Sequence, residues 1–441
     1  MCVYHFSLFL LLSAKRKRSL VFNGMVVRRV FVHAAGLSEP PGCTEAWDYV
    51  EVRPGAHMFW WLYYAESQAA QYKDLPLVMW LQGGPGGSGT GFGNFEEIGP
   101  LNRDLQPRKT SWVQTASLLF VDNPVGTGFS YAERPDGFAT DVATVASDML
   151  VLLRHFFTLK SDFQSIPFYI FSESYGGKMA AAISLELTKV TLSLELWLLT
   201  ETCVSFSDSV MTWGPYLYTT SLLDDYGLAD VNNAAQQVKQ AVAKQDFLKA
   251  TELWSVTESV VEQNTNGVNF YNILKQEEDG KLALLARRHI YPLHSQSLSE
   301  LMNGSVRKKL AIIPQNVTWG GQAEEVFSKM AGDFMKPVVD VVDQLLTAGV
   351  NVTVYNGQLD LIVDTMGQEM WVKQLKWEGI PSFNKLRWTP LDDPVSPGIT
   401  GAFYKTYKNF AFYWILKAGH MIPSDQGPMA LQMLKMIVHQ D

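Results

Sequence analysis

The stretch FYIFSESYGGKMAA, residues 168–181, decides the fold because its character changes halfway along. It begins with the aromatic and β-branched residues typical of a buried strand, and it ends as the alanine-rich start of a helix. The letters SESYGG stand between the two, where small residues let the backbone turn sharply. A tight strand-to-helix turn presents a hydroxyl beside backbone amides, so Ser174 is the candidate nucleophile.

The turn alone leaves two interpretations of Ser174 open. The usual nucleophile elbow reads Gly-X-Ser-X-Gly, and Ser172 occupies its first position here. Serine is also a common N-cap of an ordinary helix. A serine nucleophile needs a base to remove its proton, so the decision depends on finding its partners elsewhere in the chain.

The partners occur in the order that an elbow hydrolase requires, which is nucleophile, then acid, then base. The stretch VTVYNGQLDLIV offers Asp360 on a loop after a late strand, and YWILKAGHMIP offers His420 just past a strand end. Of the eight histidines, His420 alone combines a late position, a preceding glycine and a following loop. This ordered set favours the nucleophile over the helix cap.

A glycine-rich turn, QGGPGG at residues 82–87, directly follows a predicted strand. It can present bare backbone amides to the oxyanion of an acyl-transfer transition state, where each donor contributes about 3 kcal/mol. The rival interpretation, a phosphate-cradling loop, fails because no Gly-Lys-Ser/Thr follows.

Buried strands alternate with helical spacing in two blocks of the chain. HMFWWLYYAES, LPLVMWLQGG, ASLLFVDNP and PFYIFSES predict strands covered on both faces, and residues 141–158 join the last two as a helix. The second block is the helix KPVVDVVDQLLTAG, the strands VNVTVYNGQ and FAFYWILKAG, and a last helix through ALQMLKMIVH. Because a parallel connection needs a crossover element, the pattern predicts a mostly parallel α/β sheet.

The region between the two blocks is polar and helical, which is typical of a lid inserted into an α/β core. We therefore expect an N-terminal segment at 1–43, the first part of the core at 44–205, a helical cap at 206–330 and the second part of the core at 331–441. A separate C-terminal domain is the alternative.

Five motifs in register, WLQGGPGG, VDNPVGTGFSY, FSESYGGKM, NGQLDLIV and AGHMIPSDQ, resemble the serine carboxypeptidases from about Trp47 to the end of the chain. The resemblance implies an α/β-hydrolase sheet with a helical cap. It implies Ser174 as nucleophile, His420 as general base and then acid, and Asp360 as the group that orients the imidazole. It also implies the backbone amides of Gly84 and Tyr175 as the oxyanion hole.

The resemblance further implies a site for the free carboxylate of the substrate's last residue, at Gln82, Glu97 and Glu173. Two carboxyl groups crowded together cannot both ionise cheaply, so one keeps a proton at mildly acid pH and can donate a hydrogen bond. The expected activity is therefore that of an acid-pH exopeptidase that works without a metal or cofactor.

The sequence departs from the family pattern at several positions. Gln82 replaces the usual asparagine, and Gly87 stands where a cysteine is often found. Residues 188–210 lack the family's turn after the strand that follows the nucleophile helix, and a lost strand there would leave the elbow poorly supported. A non-catalytic protein on the same scaffold is therefore one alternative function, and an acyltransferase is another.

Composition excludes nucleic-acid binding, since a net charge of -8 offers no basic face for phosphate.

The apolar run MCVYHFSLFLLLSA has signal-peptide length, although its basic residues follow it instead of preceding it. The sequons at Asn303, Asn316 and Asn351 add weak support for the secretory pathway, with a secreted or lysosomal destination. With three cysteines, at most one intramolecular disulfide is expected. Peptide C-termini are the expected partners, no membrane-spanning run is evident in the body of the chain, and the oligomeric state stays open.

Overall fold

The computed structural model describes residues 44–67, 70–190, 196–202, 204–275 and 295–438, with backbone alone for 196–202 and 295–297. The predicted N-terminal segment and all three cysteines, Cys2, Cys43 and Cys203, lie outside the described residues.

Eleven strands in the described part of the chain form one mixed sheet in the order β1-β2-β4-β3-β6-β7-β8-β11-β10-β9, with β5 beside β2. The strands are β1 Glu45–Arg53, β2 Ala56–Tyr63, β3 Leu77–Leu81, β4 Ser117–Val121, β5 Tyr131–Ala132, β6 Phe168–Ser174, β7 Leu196–Thr202, β8 Asn351–Gly357, β9 Thr389–Asp392, β10 Thr400–Tyr407 and β11 Phe410–Ile415. The centre, from β4 to β11, is parallel, whereas both edges are antiparallel. The predicted α/β class is confirmed.

Helices connect these strands and fill the long segment between β7 and β8. They are α1 Val142–Leu159, α2 Gly176–Lys189, α3 Phe206–Thr219, α4 Asp225–Ala243, α5 Phe247–Thr265, α6 Ser295–Leu301, α7 Arg307–Leu310, α8 Glu324–Phe334, α9 Val339–Thr347, α10 Thr365–Gln374, α11 Ile380–Phe383, α12 Ile422–Asp425 and α13 Gly427–Val438. Wider π-helical turns occur at Gly89–Ile98 and Met302–Val306.

The central strands are apolar throughout because both faces of the sheet are covered. In β3, Leu77, Met79 and Leu81 pack into one hydrophobic cluster. Val78 and Trp80 point the other way, into a second cluster. All five are 0% exposed, and full burial of one such side chain contributes about 1.5–3 kcal/mol.

Helix α1 has the predicted crossover position between β4 and β6. Asp141 caps its first turn by accepting from the Thr144 amide at 2.8 Å. Among the described helices it is the one with the length and hydropathy to cross a membrane. Its apolar face contacts α2 and β1 in the core, so packing accounts for its apolarity.

The doubtful segment 188–210 contains the strand that was in question. Strand β7 pairs in parallel with β6 from Phe168↔Leu196 to Ser174↔Thr202, and on its other side it pairs with β8. The strand that carries the elbow therefore has a hydrogen-bonded neighbour along its whole length.

Candidate active site

Ser174 is the last residue of β6, and α2 begins two residues later at Gly176. Its φ of 59° is in the left-handed region, which residues other than glycine adopt uncommonly and at some cost in strain. A Cβ added to Gly83 would lie 2.4 Å from Ser174 Cβ, and one added to Gly176 would lie 2.4 Å from the Leu81 carbonyl oxygen. Glycines at these two positions therefore make the sharp turn possible.

Asp360 and His420 form a buried pair. His420 Nδ1 lies 2.8 Å from Asp360 Oδ2, and the side chains are 1% and 0% exposed. The other carboxylate oxygen, Oδ1, accepts from the Val363 amide at 3.0 Å. A carboxylate oxygen at this position can accept a hydrogen bond from Nδ1–H, and in that tautomer Nε2 is the ring nitrogen that can act as a base.

The sheet order brings the three candidate residues to one edge. Strands β6, β7, β8 and β11 are consecutive and parallel, so their carboxyl ends meet there. Ser174 ends β6, Asp360 follows β8 and His420 follows β11.

Tyr271, which sequence reasoning missed, contacts His420 and lines the same cavity as Ser174. Its carbonyl oxygen accepts from the His420 amide at 2.7 Å, and its ring stands edge-on to the imidazole with 5.3 Å between centroids. Tyr271, Ser174 and Gly84 all line a cavity of about 260 Å³.

The glycine loop requires glycine at Gly84 and Gly86, whose φ angles are 115° and 106°. A Cβ on Gly84 would meet the Gly86 nitrogen at 2.8 Å. The bare backbone at Gly84 therefore reaches the cavity beside Ser174.

The residues implied for carboxylate binding come together beneath the elbow. Gln82 Nε2 donates to Glu97 Oε1 at 3.1 Å and to Glu173 Oε1 at 2.9 Å. Trp80 Nε1 donates to Gln82 Oε1 at 2.7 Å, which fixes the orientation of the amide. Gln82, Glu97 and Glu173 are 3%, 1% and 1% exposed.

Burial raises the pKa of Glu97, against hydrogen bonds from Glu173 and Gln82 that lower it. Two buried carboxyl groups that share a hydrogen bond hold a proton between them. The pair is therefore a hydrogen-bond donor for as long as that proton is bound.

A second buried aspartate, Asp364, lies close to Asp360 and was not found from the sequence. It caps α10 by accepting from the Gly367 amide at 3.1 Å, and Thr212 Oγ1 donates to it at 2.6 Å. Burial raises the pKa of Asp364 to about 7, and the charge of Asp360 adds to the rise. The sequence signal that could have indicated Asp364 is its place as a helix N-cap aspartate, four residues after Asp360.

The three sequons differ in their surroundings. Asn303 Nδ2 donates to the Ser299 and Trp319 carbonyl oxygens, and its Oδ1 accepts from the Trp319 amide at 2.8 Å. Asn316 is exposed, and Asn351 is half-buried at the start of β8.

In the described ranges, no three His, Cys, Asp or Glu side chains are grouped as a metal site requires.

Comparison with known proteins adds sequence and fold relatives. A family model described as serine carboxypeptidase matches residues 36–440. The chain is 57% identical over 421 residues to the retinoid-inducible serine carboxypeptidase of Mus musculus, covering 91% of this chain and 93% of the relative. The human protein of that name is 58% identical over 416 residues, with coverage of 90% and 92%.

A solved structure is also similar, that of Kex1, a prohormone-processing carboxypeptidase from Saccharomyces cerevisiae. It has a TM-score of 0.77 and 20% sequence identity, and the match covers 89% of this chain and 90% of that one. The likeness confirms the predicted α/β-hydrolase fold.

Proposed function

Because this chain belongs to the serine carboxypeptidase family, we propose that Ser174, His420 and Asp360 carry its carboxypeptidase reaction. The observation that supports this assignment most directly is the buried His420–Asp360 pair, at the sheet edge where the strained Ser174 ends β6. A general base must have its imidazole held in one orientation, and a buried carboxylate at Nδ1 does this.

The reaction would follow from these positions. His420 Nε2 takes the proton of the Ser174 hydroxyl as Oγ bonds to the carbonyl carbon of the last peptide bond. The backbone amides of Gly84 and Tyr175 stabilise the oxyanion. The imidazolium then gives its proton to the departing amino group, and the C–N bond breaks. A water molecule, activated by the same imidazole, hydrolyses the ester and frees Ser174.

Selection for the chain end depends on Gln82, Glu97 and Glu173. We expect the free carboxylate to accept a hydrogen bond from the proton that the two glutamates hold, while the Gln82 amide, which donates to both glutamates, keeps them in position. As pH rises through the upper apparent pKa of the pair, that proton leaves and the remaining charge repels the substrate. Activity on peptides therefore belongs at acid pH.

Two further assignments accompany the reaction. The carbohydrate acceptor sites at Asn303, Asn316 and Asn351, together with a secretory route to the cell exterior or the lysosome, stay predictions supported by the sequons and the N-terminal apolar run. The non-catalytic alternative depended on a missing strand beside the elbow. Strand β7 is present there and pairs with β6 along its full length. Among the residues that the structure describes, no contact favours the acyltransferase.

A peptide digest at about pH 5, followed by mass spectrometry, tests the proposal. We expect loss of single residues from the C-terminus, no cleavage of the same peptide when its C-terminus is amidated, and no cleavage by Ser174→Ala. Turnover by Ser174→Ala, or internal cleavage by the parent, would contradict the assignment.

A further inference from the structure

Helix α8 contacts both chain segments that carry the proposed oxyanion donors. Its residues Glu324–Phe334 belong to the long segment between β7 and β8, not to the sheet. At a rise of about 1.5 Å per residue, the helix is about 16 Å long. One end meets the glycine loop, and the other end meets the residues that follow Ser174.

Gln322 and Ala323, the two residues just before the helix, connect its N-terminal end to the glycine loop by hydrogen bonds. Gln322 Nε2 donates to the Pro85 carbonyl oxygen at 2.8 Å. The Ala323 amide donates to the Gly86 carbonyl oxygen at 3.0 Å, and Gln322 pairs with Gly87 as a short antiparallel bridge. The fit is close, since a Cβ on Gly84 would come within 2.9 Å of Gln322 Nε2.

The C-terminal end is fixed to the elbow by a buried ion pair. Asp333 Oδ2 accepts from the Tyr175 hydroxyl at 2.6 Å and from Lys178 Nζ at 3.0 Å. Lys178 Nζ also donates to the carbonyl oxygens of Asp333 and Phe334. Lys178 and Asp333 are 1% and 4% exposed. The Phe334 ring stacks on the Tyr175 ring with 5.8 Å between centroids.

The middle of the helix faces the candidate active site. Phe327, Ser328 and Ala331, together with Phe334, line the cavity that also contains Ser174 and Gly84. A substrate side chain in this cavity therefore touches the same helix that contacts both donor segments.

We infer that α8 is a brace that sets the position of the Gly84 amide relative to the Tyr175 amide. In this role Gln322, the Tyr175 hydroxyl and Asp333 are positioning residues, because they act through the two donors without touching the reacting atoms. The inference rests on the proposed function. Oxyanion donors must lie about 2.7–3.1 Å from the developing charge, so a small displacement lowers the rate much more than it lowers substrate binding.

Two substitutions remove one hydrogen bond each and keep the packing. Tyr175→Phe removes the bond to Asp333 at the C-terminal end of the helix, and Gln322→Met removes the bond to Pro85 at the N-terminal end. Asp333→Asn is less useful, because it leaves the Lys178 charge buried without its partner and so favours unfolding. Matched controls are Tyr218→Phe, which removes an exposed bond to Asp225, and Gln344→Met, which removes an exposed bond to Asp340.

The experiment measures kcat, KM and the affinity for a peptide aldehyde, which becomes a tetrahedral oxyanion on Ser174. For Tyr175→Phe and Gln322→Met we expect kcat to fall about tenfold each, with KM changed less than about twofold. Aldehyde affinity should fall in proportion to kcat. Because both bonds act through one helix, the double variant should lose less than the product of the two single losses.

Three results would overturn the brace while leaving the proposed function intact. They are losses in kcat that multiply in the double variant, a change in KM alone, and effects no larger than those of the two controls. A parent protein that neither cleaves peptides nor reacts with the aldehyde would overturn the proposed function, and the brace with it. The parent measurements therefore separate the two failures.

Discussion

At the scale of single residues, the order of motifs was enough to name the triad candidates, and it missed two of the groups around them, Tyr271 and Asp364. Ser174, Asp360 and His420 each follow a strand, so one rule about carboxyl ends of parallel strands locates them all. Tyr271 and Asp364 carry no such mark. Tyr271 contacts His420 from a segment far away in the chain, and Asp364 accepts a hydrogen bond from Thr212 on another helix. A linear pattern does not contain such contacts.

Glu97→Gln tests the shared proton. In the parent, KM for peptides with a free C-terminus should rise from about pH 4 to pH 7 as the glutamate pair loses its proton. A glutamine at position 97 donates a hydrogen bond at every pH, so the rise should flatten in Glu97→Gln. Steady-state kinetics across this range measures it, and Glu378→Gln at an exposed ion pair is the control. A parent KM that is independent of pH would contradict the role of the pair.

Asp364 predicts a pH dependence of stability. Its pKa is raised to about 7 in the folded chain, against about 3.9 unfolded, so the folded state binds the proton more tightly. Stability should therefore fall by up to about 1.4 kcal/mol per pH unit as pH rises from 4 to 7. In Asp364→Asn this contribution should disappear.

Urea unfolding at several pH values compares the parent with Asp364→Asn. Asp224→Asn, the same exchange at the exposed N-cap of α4, is the matched control. Parallel stability curves for the parent and Asp364→Asn would show that Asp364 does not hold its proton in the folded chain.

At the scale of elements, the sequence predicts what is buried on both faces and misses what is half-exposed. The strands β2, β3, β4, β6, β8 and β11 and the helix α1 were predicted because continuous apolar runs and helical spacing are strong signals. The strands β1, β9 and β10, at the two sides of the sheet, consist mostly of half-buried and exposed residues, and each pairs antiparallel with a strand next to it in the chain. Their existence depends on pairing more than on local composition.

Gly83→Ala tests the packing of the elbow against the glycine loop. The new Cβ would lie 2.4 Å from Ser174 Cβ and 2.8 Å from the Glu173 carbonyl oxygen, so the turn must move. We expect kcat/KM to fall at least about 100-fold. The loss in the free energy of unfolding should stay within about 1–3 kcal/mol. Gly304→Ala, where nothing lies within 4 Å, is the control, and equal activities in the two variants would refute the tight fit.

At the scale of the whole molecule, the two hydrophobic clusters on opposite faces of the sheet hold the three candidate residues at one edge. The strand order that achieves this was not readable from the sequence, because order is a property of non-local pairing. The same limit applied to residues 188–210. Their sequence departs from the family pattern, and it nevertheless forms β7 beside β6.

The sequons predict a difference in carbohydrate occupancy. Asn316 is exposed, whereas both ends of the Asn303 amide bond other groups, which a sugar on Nδ2 would displace. In protein secreted from eukaryotic cells, peptide mapping should find the glycan on Asn316 and little on Asn303. A fully occupied Asn303 would show that modification precedes the folding of this region.

The proposed reaction depends above all on activation of the Ser174 hydroxyl by His420. Fluorophosphonate labelling followed by peptide mapping tests it most directly, since the probe forms a covalent bond only with an activated hydroxyl. We expect one adduct, on Ser174, in the parent protein and none in His420→Ala. An adduct on another residue, no adduct in the parent, or undiminished labelling in His420→Ala would contradict it.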